Sequence, residues 1–305
     1  MISRVLLWIR AARVPFFTGS VMPVCVCSAM AWYETGRFHW GYWLVTVVSM
    51  MLIHAGANLA NDYFDHLSGN DPANTEFVNP FTGGSRVIQD LEVWPLDVLW
   101  AALLCLGAGS LLGLYLVYAR GLWILAIGLV GVISAFCYSG PPLRLGYRGV
   151  GELFIFLDFG ILPALGAYYV QAQTFSWGAI AAGLPNALLI TAVLFINQFQ
   201  DMRADMVADK RHWVVRLGRK RARWYYYALV TAAPLCVIGG VILGWLPTTA
   251  MIGVGGGVLL PGMIWTAGRY YDEPAELAPA NASTIVMHLL TGVLLTVGIL
   301  LGGTA

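Results

Sequence analysis

The sequence predicts an all-α integral membrane protein. It reads as one domain over 1–305, a single bundle of about nine transmembrane helices with its catalytic loops on the cytoplasmic side. Three observations lead there. Of 305 residues, 59% are hydrophobic and only 11% are charged, whereas about one quarter of an ordinary soluble domain is charged. Nine stretches are apolar enough, at about 20 residues each, to span a bilayer. The basic residues fall almost entirely on one side of the topology those stretches define.

The first segment, MISRVLLWIRAARVPFF, carries arginines inside an apolar run and has no clean small-residue cleavage site. It reads as an amphipathic helix lying on the membrane rather than a cleaved signal peptide. Spans follow at 15–34, 40–60, 96–119, 121–139, 151–171, 177–199, 224–244, 247–268 and 282–302. Their seams are Gly/Pro-rich or charged: Thr35-Gly36-Arg37, Arg120-Gly121, Gly140-Pro141-Pro142, Thr174 to Trp177, and Trp245-Leu246-Pro247. With nine spans, 15 of the 17 basic residues lie on the side of the N-terminus, and only Arg37 and Arg120 lie opposite. Basic loops stay in the cytoplasm, so the expectation is a multi-pass protein of the cytoplasmic membrane with a cytoplasmic N-terminus.

Other composition signals narrow the function. A net charge of +1 gives no electrostatic reason to expect nucleic acid as a partner; the lipid bilayer is the expected surroundings. Cys25, Cys27, Cys105, Cys137 and Cys236 sit in apolar runs without metal-ligand spacing and read as small apolar fillers.

The informative passages are acidic. Span 2 runs into NLANDYFDHLSGND, which places Asp62, Asp65 and Asp71 just after a membrane segment. Span 6 runs into NQFQDMRADMVADK, which places Asp201, Asp205 and Asp209 on the same side. Both begin Asn-x-x-x-Asp, from Asn58 to Asp62 and from Asn197 to Asp201. At helical spacing Asn58, Asp62 and Asp65 share one face, and Asn197, Asp201, Asp205 and Asp209 share another. Like charges at such spacing repel, more so near a membrane, so something positive belongs between the two clusters. All-oxygen ligands suit Mg²⁺ or Ca²⁺, and Mg²⁺ commonly completes its shell with substrate phosphate. A metal-bridged diphosphate fits. A solvated loop is the ordinary meaning of one acidic run; two matched runs on one side favour the functional meaning. Lys210, Arg211, Arg86 and Arg144 stand where they can hold diphosphate oxygens. Arg216, Arg219, Lys220, Arg221 and Arg223 need only the positive-inside rule.

These motifs resemble the UbiA superfamily of intramembrane prenyltransferases. NDYFDHLSGND is similar to its Asn-Asp-x-x-Asp signature, and NQFQDMRADMVADKRHWVVRLG to its Asp-x-x-x-Asp signature. GGSRVIQ (83–89), YSGPPLRLGYRGVGEL (138–153) and GAYYVQ (166–171) extend the resemblance over about 50–220, most like the branch that prenylates 1,4-dihydroxy-2-naphthoate. Two departures stand out. Gly69 occupies a place where many relatives carry Asp, with the next acid at Asp71, as is usual in the naphthoate branch; and Asp209-Lys210 stands where that branch often has Gly-Lys.

The resemblance implies a prenyl diphosphate donor and an aromatic acid acceptor. It implies Mg²⁺, two ions, on Asp62, Asp65, Asp201 and Asp205, with Asn58, Asn197 and Asp71 around them. An allylic cation forms as pyrophosphate departs, and the ring captures it with loss of CO₂. Tyr138 and Tyr147 flank the family-like loop and are the aromatic residues placed beside that cation. Asp158, inside span 5, has two readings: it touches the acceptor's hydroxyls, or it accepts a bond from a neighbouring helix. Glu152 falls in the family-like GELF segment and lines the site; His54 and His288 read as hydrogen-bonded packing. The segment 66–90 is long enough to be a lid. Two alternatives stay open: the same chemistry with another acceptor, and a cation-coupled transporter, against which the sequence offers no polar route to the far side.

Overall fold

The structure, a computed structural model, describes residues 2–304. The chain opens with α1 (Ile2–Ala11), an amphipathic helix that leaves Val5, Leu6, Trp8 and Ile9 exposed. An exposed apolar face on a basic helix suits a membrane surface. Arg13 turns the chain with φ 53°, and α2 (Thr18–Thr35) enters the bundle. The order continues α3 (Trp40–Leu67), a single turn α4 (Asn70–Ala73), α5 (Pro95–Arg120) and α6 (Trp123–Cys137). Next come α7 (Gly151–Phe156) and α8 (Leu162–Ala172), joined by a π-helical turn at Leu157–Ile161, then α9 (Trp177–Val207). A short α10 (Trp213–Leu217) precedes α11 (Arg219–Ile242); a 3₁₀ stretch at Thr248–Leu259 leads into α12 (Leu260–Tyr270), and α13 (Ala278–Leu301) closes the chain.

Among the described residues, eight helices are long and apolar enough to cross a bilayer. The expected ninth is α6, and it is shorter than 121–139: its 15 residues reach about 22 Å at 1.5 Å each, against a hydrocarbon core of about 30 Å. Pro141 and Pro142 supply no N–H to extend it. It still returns the chain across the bundle. Before it, Arg120 donates to the Val170 and Gln171 carbonyls near the end of α8 (2.6 and 2.9 Å), and after it, Ser139 accepts from Asn61 near the opposite end of α3 (2.7 Å). The carboxylate-bearing ends of α3 and α9 therefore come together.

α9 is the central helix, packed against α2, α7, α11 and α13. Apolar burial does little to drive helices together in lipid, so small residues that allow close approach dominate such contacts. At Gly160 a Cβ would lie 2.2 Å from Ala187 Cβ, and at Gly183 one would lie 2.5 Å from Ala164 Cβ. The π turn has a local cause as well: Pro163 cannot bond to the Phe159 carbonyl and its ring crowds it, so the ladder widens just before the proline.

α3 and α9 run beyond the apolar spans, to Leu67 and Val207, so Asp62, Asp65, Asp201 and Asp205 stand on helix as their spacing requires. Asp209 does not share their face. The helix has ended, Asp209 takes φ 56°, and its exposed carboxylate pairs with Arg211.

Candidate active site

Asp62 and Asp65 are three residues apart on the last turns of α3, and both are buried. Asp201 and Asp205 occupy the matching turns of α9, the second also buried. The loop after α3 stitches them together. Asn70 donates to Asp205 and Asn74 donates to Asp201, each at 2.6 Å. Asp71, buried in the same loop, faces Gly84, and the Ser85 N–H donates to Asp62 at 3.2 Å. Segment 66–90 thus folds over the cluster.

Five carboxylates meet there, and the permanent cations among them are Lys210 and Arg13. Lys210 Nζ donates to Asp65 Oδ2 (2.9 Å) and lies 3.7 Å from Asp205 Oδ1, bridging the two helices. Arg13 pairs with Asp62. His212 Nε2 lies 2.7 Å from Asp205 Oδ2. Burial opposes the charge on Lys210, but Asp65 and Asp205 outweigh it and hold its pKa well above the ordinary lysine value. Burial, together with Asp65 and Asp62, pushes the Asp71 carboxyl well above the usual carboxylate range. Tyr147 donates to Asp65 Oδ1 at 2.7 Å and shares a bond with Ser68 at 2.8 Å. Burial, then Asp65, pushes its hydroxyl up to about 12, so it remains a donor near neutrality.

The donor set tests what cation belongs here. It is carboxylate and amide oxygen, which suits a hard divalent ion. An ammonium already bridges the two acidic helices, so a positive charge fits between them. Among the described residues no three such side chains already converge on one point; Arg13, Lys210 and His212 engage them separately.

The cluster adjoins a chamber of about 170 Å³ with Arg13, Asn58, Gly84, Tyr138 and Asn197 in its walls. His54, Ala57, Ala135, Asp158 and Phe159 line this chamber and also a second cavity of about 290 Å³. Ile53, Leu116, Ile127 and Val170 make much of the second cavity's wall apolar. A chamber with a few polar groups beside the cluster thus abuts an apolar cavity.

The other candidate residues divide. Asn58 donates to the Ala12 carbonyl, and Asn197 donates to the Phe81 carbonyl, both from the chamber wall. Tyr138 lines the same wall, with its ring packed against Gly146 and Gly151. Arg86 is occupied with the loop, donating to the Asp71 carbonyl (2.9 Å) beside the Phe77 ring. Arg144 stacks over Tyr147 at 4.2 Å. Arg211 is exposed on Asp209, outside the buried cluster. Glu152 is buried away from both cavities' lining and anchors the chain after α9: its Oε1 accepts from the Trp213 N–H and from Gln198. His54 bonds to Ser20, whereas His288 Nε2 is buried without a partner.

Arg13, Asn70, Asn74, His212 and Gly84 join the cluster although sequence reasoning did not single them out. Arg13 was hidden by its place among the basic residues of the N-terminus. The asparagines and His212 sit beside motif acids but carry no periodic signal of their own.

The sequence matches the UbiA prenyltransferase family over residues 20–290. The chain belongs to that family. It is therefore a prenyltransferase and a multi-pass integral membrane protein, which sets aside the carrier reading. Among UbiA relatives, 2-carboxy-1,4-naphthoquinone phytyltransferase of Synechocystis sp. is 30% identical over 96% of this chain and 92% of its own length. The 1,4-dihydroxy-2-naphthoate octaprenyltransferase of Mycobacterium tuberculosis is 31% identical over 76% of this chain and 80% of its own. The octaprenyltransferase of the same name from Escherichia coli is 28% identical over 98% and 97%. The fold agrees with solved structures. A UbiA homolog from Archaeoglobus fulgidus, bound to GPP and Mg²⁺, superposes with TM-score 0.62 at 13% identity over 95% of this chain and 99% of that one. The apo UbiA homolog from Aeropyrum pernix K1 gives 0.64 at 14% identity, over 93% and 97%.

Proposed function

We propose that this UbiA-family enzyme transfers a polyprenyl group from prenyl diphosphate to 1,4-dihydroxy-2-naphthoate, with loss of CO₂ and release of pyrophosphate. The observation that carries the reading is the junction itself. A buried carboxylate cluster adjoins a chamber, through Arg13 and Gly84, and that chamber shares five lining residues with an apolar cavity. The naphthoate acceptor is supported by the names of relatives about 30% identical.

Asp62, Asp65, Asp201 and Asp205 are the residues that would hold Mg²⁺, read as two ions. Held there, Mg²⁺ would supply positive charge to offset that of the departing pyrophosphate. Asn58 and Asn197 orient the donor's head from the chamber wall. Asp71 and Gly84 shape the loop that covers it. Lys210 and Arg13, which pair with those carboxylates, are the cations beside the site that would bind diphosphate oxygens. Arg86 holds the covering loop, and Arg144 and Arg211 add positive charge at its rim. The Tyr138 ring offers an electron-rich face to an allylic cation, whereas Tyr147, with Arg144 stacked on its ring and outside both cavity linings, acts through its hydroxyl on Asp65. The prenyl tail lies in the apolar cavity, whose walls keep water from capturing the cation. The reading places the site at the cytoplasmic face of the cytoplasmic membrane, with the N-terminus inside.

The test uses purified protein in lipid with Mg²⁺, a radiolabelled prenyl diphosphate and 1,4-dihydroxy-2-naphthoate. Prenylated product and CO₂ should form, and both should vanish with EDTA and in Asp62→Ala and Asp201→Ala. Metal-dependent product with 4-hydroxybenzoate alone would keep the chemistry and overturn the acceptor.

A further inference from the structure

Asp158 is an acid inside a membrane-spanning segment, at the second position of the π turn Leu157–Ile161. Intramembrane acids are costly and are retained for a partner or a function; π turns frequently mark functional positions. Its Oδ1 is buried without a hydrogen-bond partner. The hydroxyl packed near it belongs to Ser134 of α6, and that hydroxyl donates to its own helix at Val130 (2.6 Å). Asp158 also lines both the head chamber and the apolar cavity, so it stands at the neck between them. His54 lines the same two cavities, bonded to Ser20 at 2.7 Å and set edge-on to Phe159 at 4.6 Å.

The depth fits an aromatic ring. His54, level with Phe159, is eight residues before Asp62 on α3, so the neck lies about 12 Å along the helix from that carboxylate. A diphosphate at the cluster leaves the ring's place between the two. Ile155, Ile190, Val193 and Leu194 wall that interval with apolar surface.

We propose that Asp158 is the acceptor subsite's proton carrier: it binds a ring hydroxyl of the aromatic acid and holds that hydroxyl's proton during transfer. This rests on the decarboxylating transfer proposed above. The ring carbon bearing the carboxylate bonds to the allylic carbon as the carbon–diphosphate bond breaks. The adjacent hydroxyl becomes a carbonyl and gives its proton to Asp158. Loss of CO₂ from that carbon then returns an electron pair to the ring as an enolate, which takes the proton back. One proton leaves and returns, so a single carboxylate, shielded from water, balances the sequence.

The experiment compares wild type with Asp158→Asn, Asp158→Ser, Asp158→Glu and Ser134→Ala in lipid with Mg²⁺. Two quantities are read: binding of radiolabelled prenyl diphosphate, and kcat and KM for transfer to 1,4-dihydroxy-2-naphthoate. Asp158→Asn and Asp158→Ser should bind the diphosphate within about threefold of wild type and lose kcat by about 100-fold or more, the usual worth of a positioned proton carrier. Asp158→Glu should regain at least a tenth of the wild-type rate, and Ser134→Ala should stay near wild type. A kcat within about threefold of wild type in either neutral variant overturns the assignment. So does diphosphate binding that falls in step with kcat, because Asp158 would then be supporting the fold. Wild-type protein that prenylates no hydroxylated aromatic acid overturns the parent reading and this one together; active wild type beside unimpaired variants overturns this one alone.

Discussion

Lys210 donates to Asp65 across 2.9 Å, so the cation that follows the second acidic helix is neutralised by the first. The same ammonium faces Asp205, and it stands where two negative helix ends would otherwise repel.

Lys210→Met should therefore lower the metal-free melting temperature by several degrees, since stripping one partner from a buried ion pair costs about 3–5 kcal/mol. Mg²⁺ should restore more stability to the variant than to wild type. The pKa of Lys210 is raised in the folded protein, so its contribution is fully present below the ordinary value of 10.5 and fades only as pH rises through the folded value. The gap between the two proteins should hold steady from about pH 6 to 9. Coincident melts, or a gap that closes within that range, would count against the bridge.

Asp71 titrates in the opposite sense to a stabilising acid. Its folded pKa is raised, so the neutral form's advantage is present below the unfolded value of 3.8 and is lost as pH climbs through the folded value. Asp71→Asn, permanently neutral, should gain stability relative to metal-free wild type as pH rises from about 5 to 8. Thermal melts at both ends of that range check it, and a flat difference would refute it.

Gly84 takes φ +75°, and a Cβ there would lie 2.6 Å from Asp71 Oδ2 and 3.2 Å from Asp62 Oδ1. Gly69 has a similar φ of +79° with nothing within 4 Å of its Cβ position. Both Ala variants carry the backbone cost of about 1–2 kcal/mol, but only Gly84→Ala displaces the carboxylates. Transfer should fall by about tenfold or more in Gly84→Ala and stay near wild type in Gly69→Ala. Equal rates in the two would show that the close approach at Gly84 does not matter to transfer.

Tyr147 and Tyr138 should separate by what each hydroxyl does. Tyr147→Phe deletes a donor to buried Asp65, worth about 1.5–3 kcal/mol for a charged partner, and should slow transfer about tenfold or more. Tyr138→Phe keeps the ring in the chamber wall and should be nearly silent, while Tyr138→Leu should lose roughly the 0.5–2 kcal/mol of a cation–π contact. Measured kcat for the three variants decides it; Phe and Leu equally poor at Tyr138 would discard the ring's role.

The helical ends that carry Asp62, Asp65, Asp201 and Asp205 were legible because acids repeated at helical spacing beside an apolar run can hardly stand anywhere but on the end of a spanning helix. Asp209 misled because a four-residue repeat cannot show that its helix stops at Val207. α6 fell short of its apolar run because Pro141 and Pro142 end what hydropathy alone extends. Arg86 and Arg211, both basic and both near motifs, are engaged by the Asp71 carbonyl and by Asp209; charge in a sequence has a position but no direction.

By itself the sequence determined that the chain is a helical membrane bundle and which carboxylates stand at its helix ends, because hydropathy, helical period and charge are properties of neighbours along the chain. Only the tertiary structure decided that Arg13, Asn70, Asn74 and His212 meet those carboxylates, and that Asp158 sits at the neck of two cavities. Those relationships join residues as much as 135 positions apart. They depend on how closely small residues let α9 approach its neighbours and on where a π turn rotates one side chain, and no local pattern encodes either.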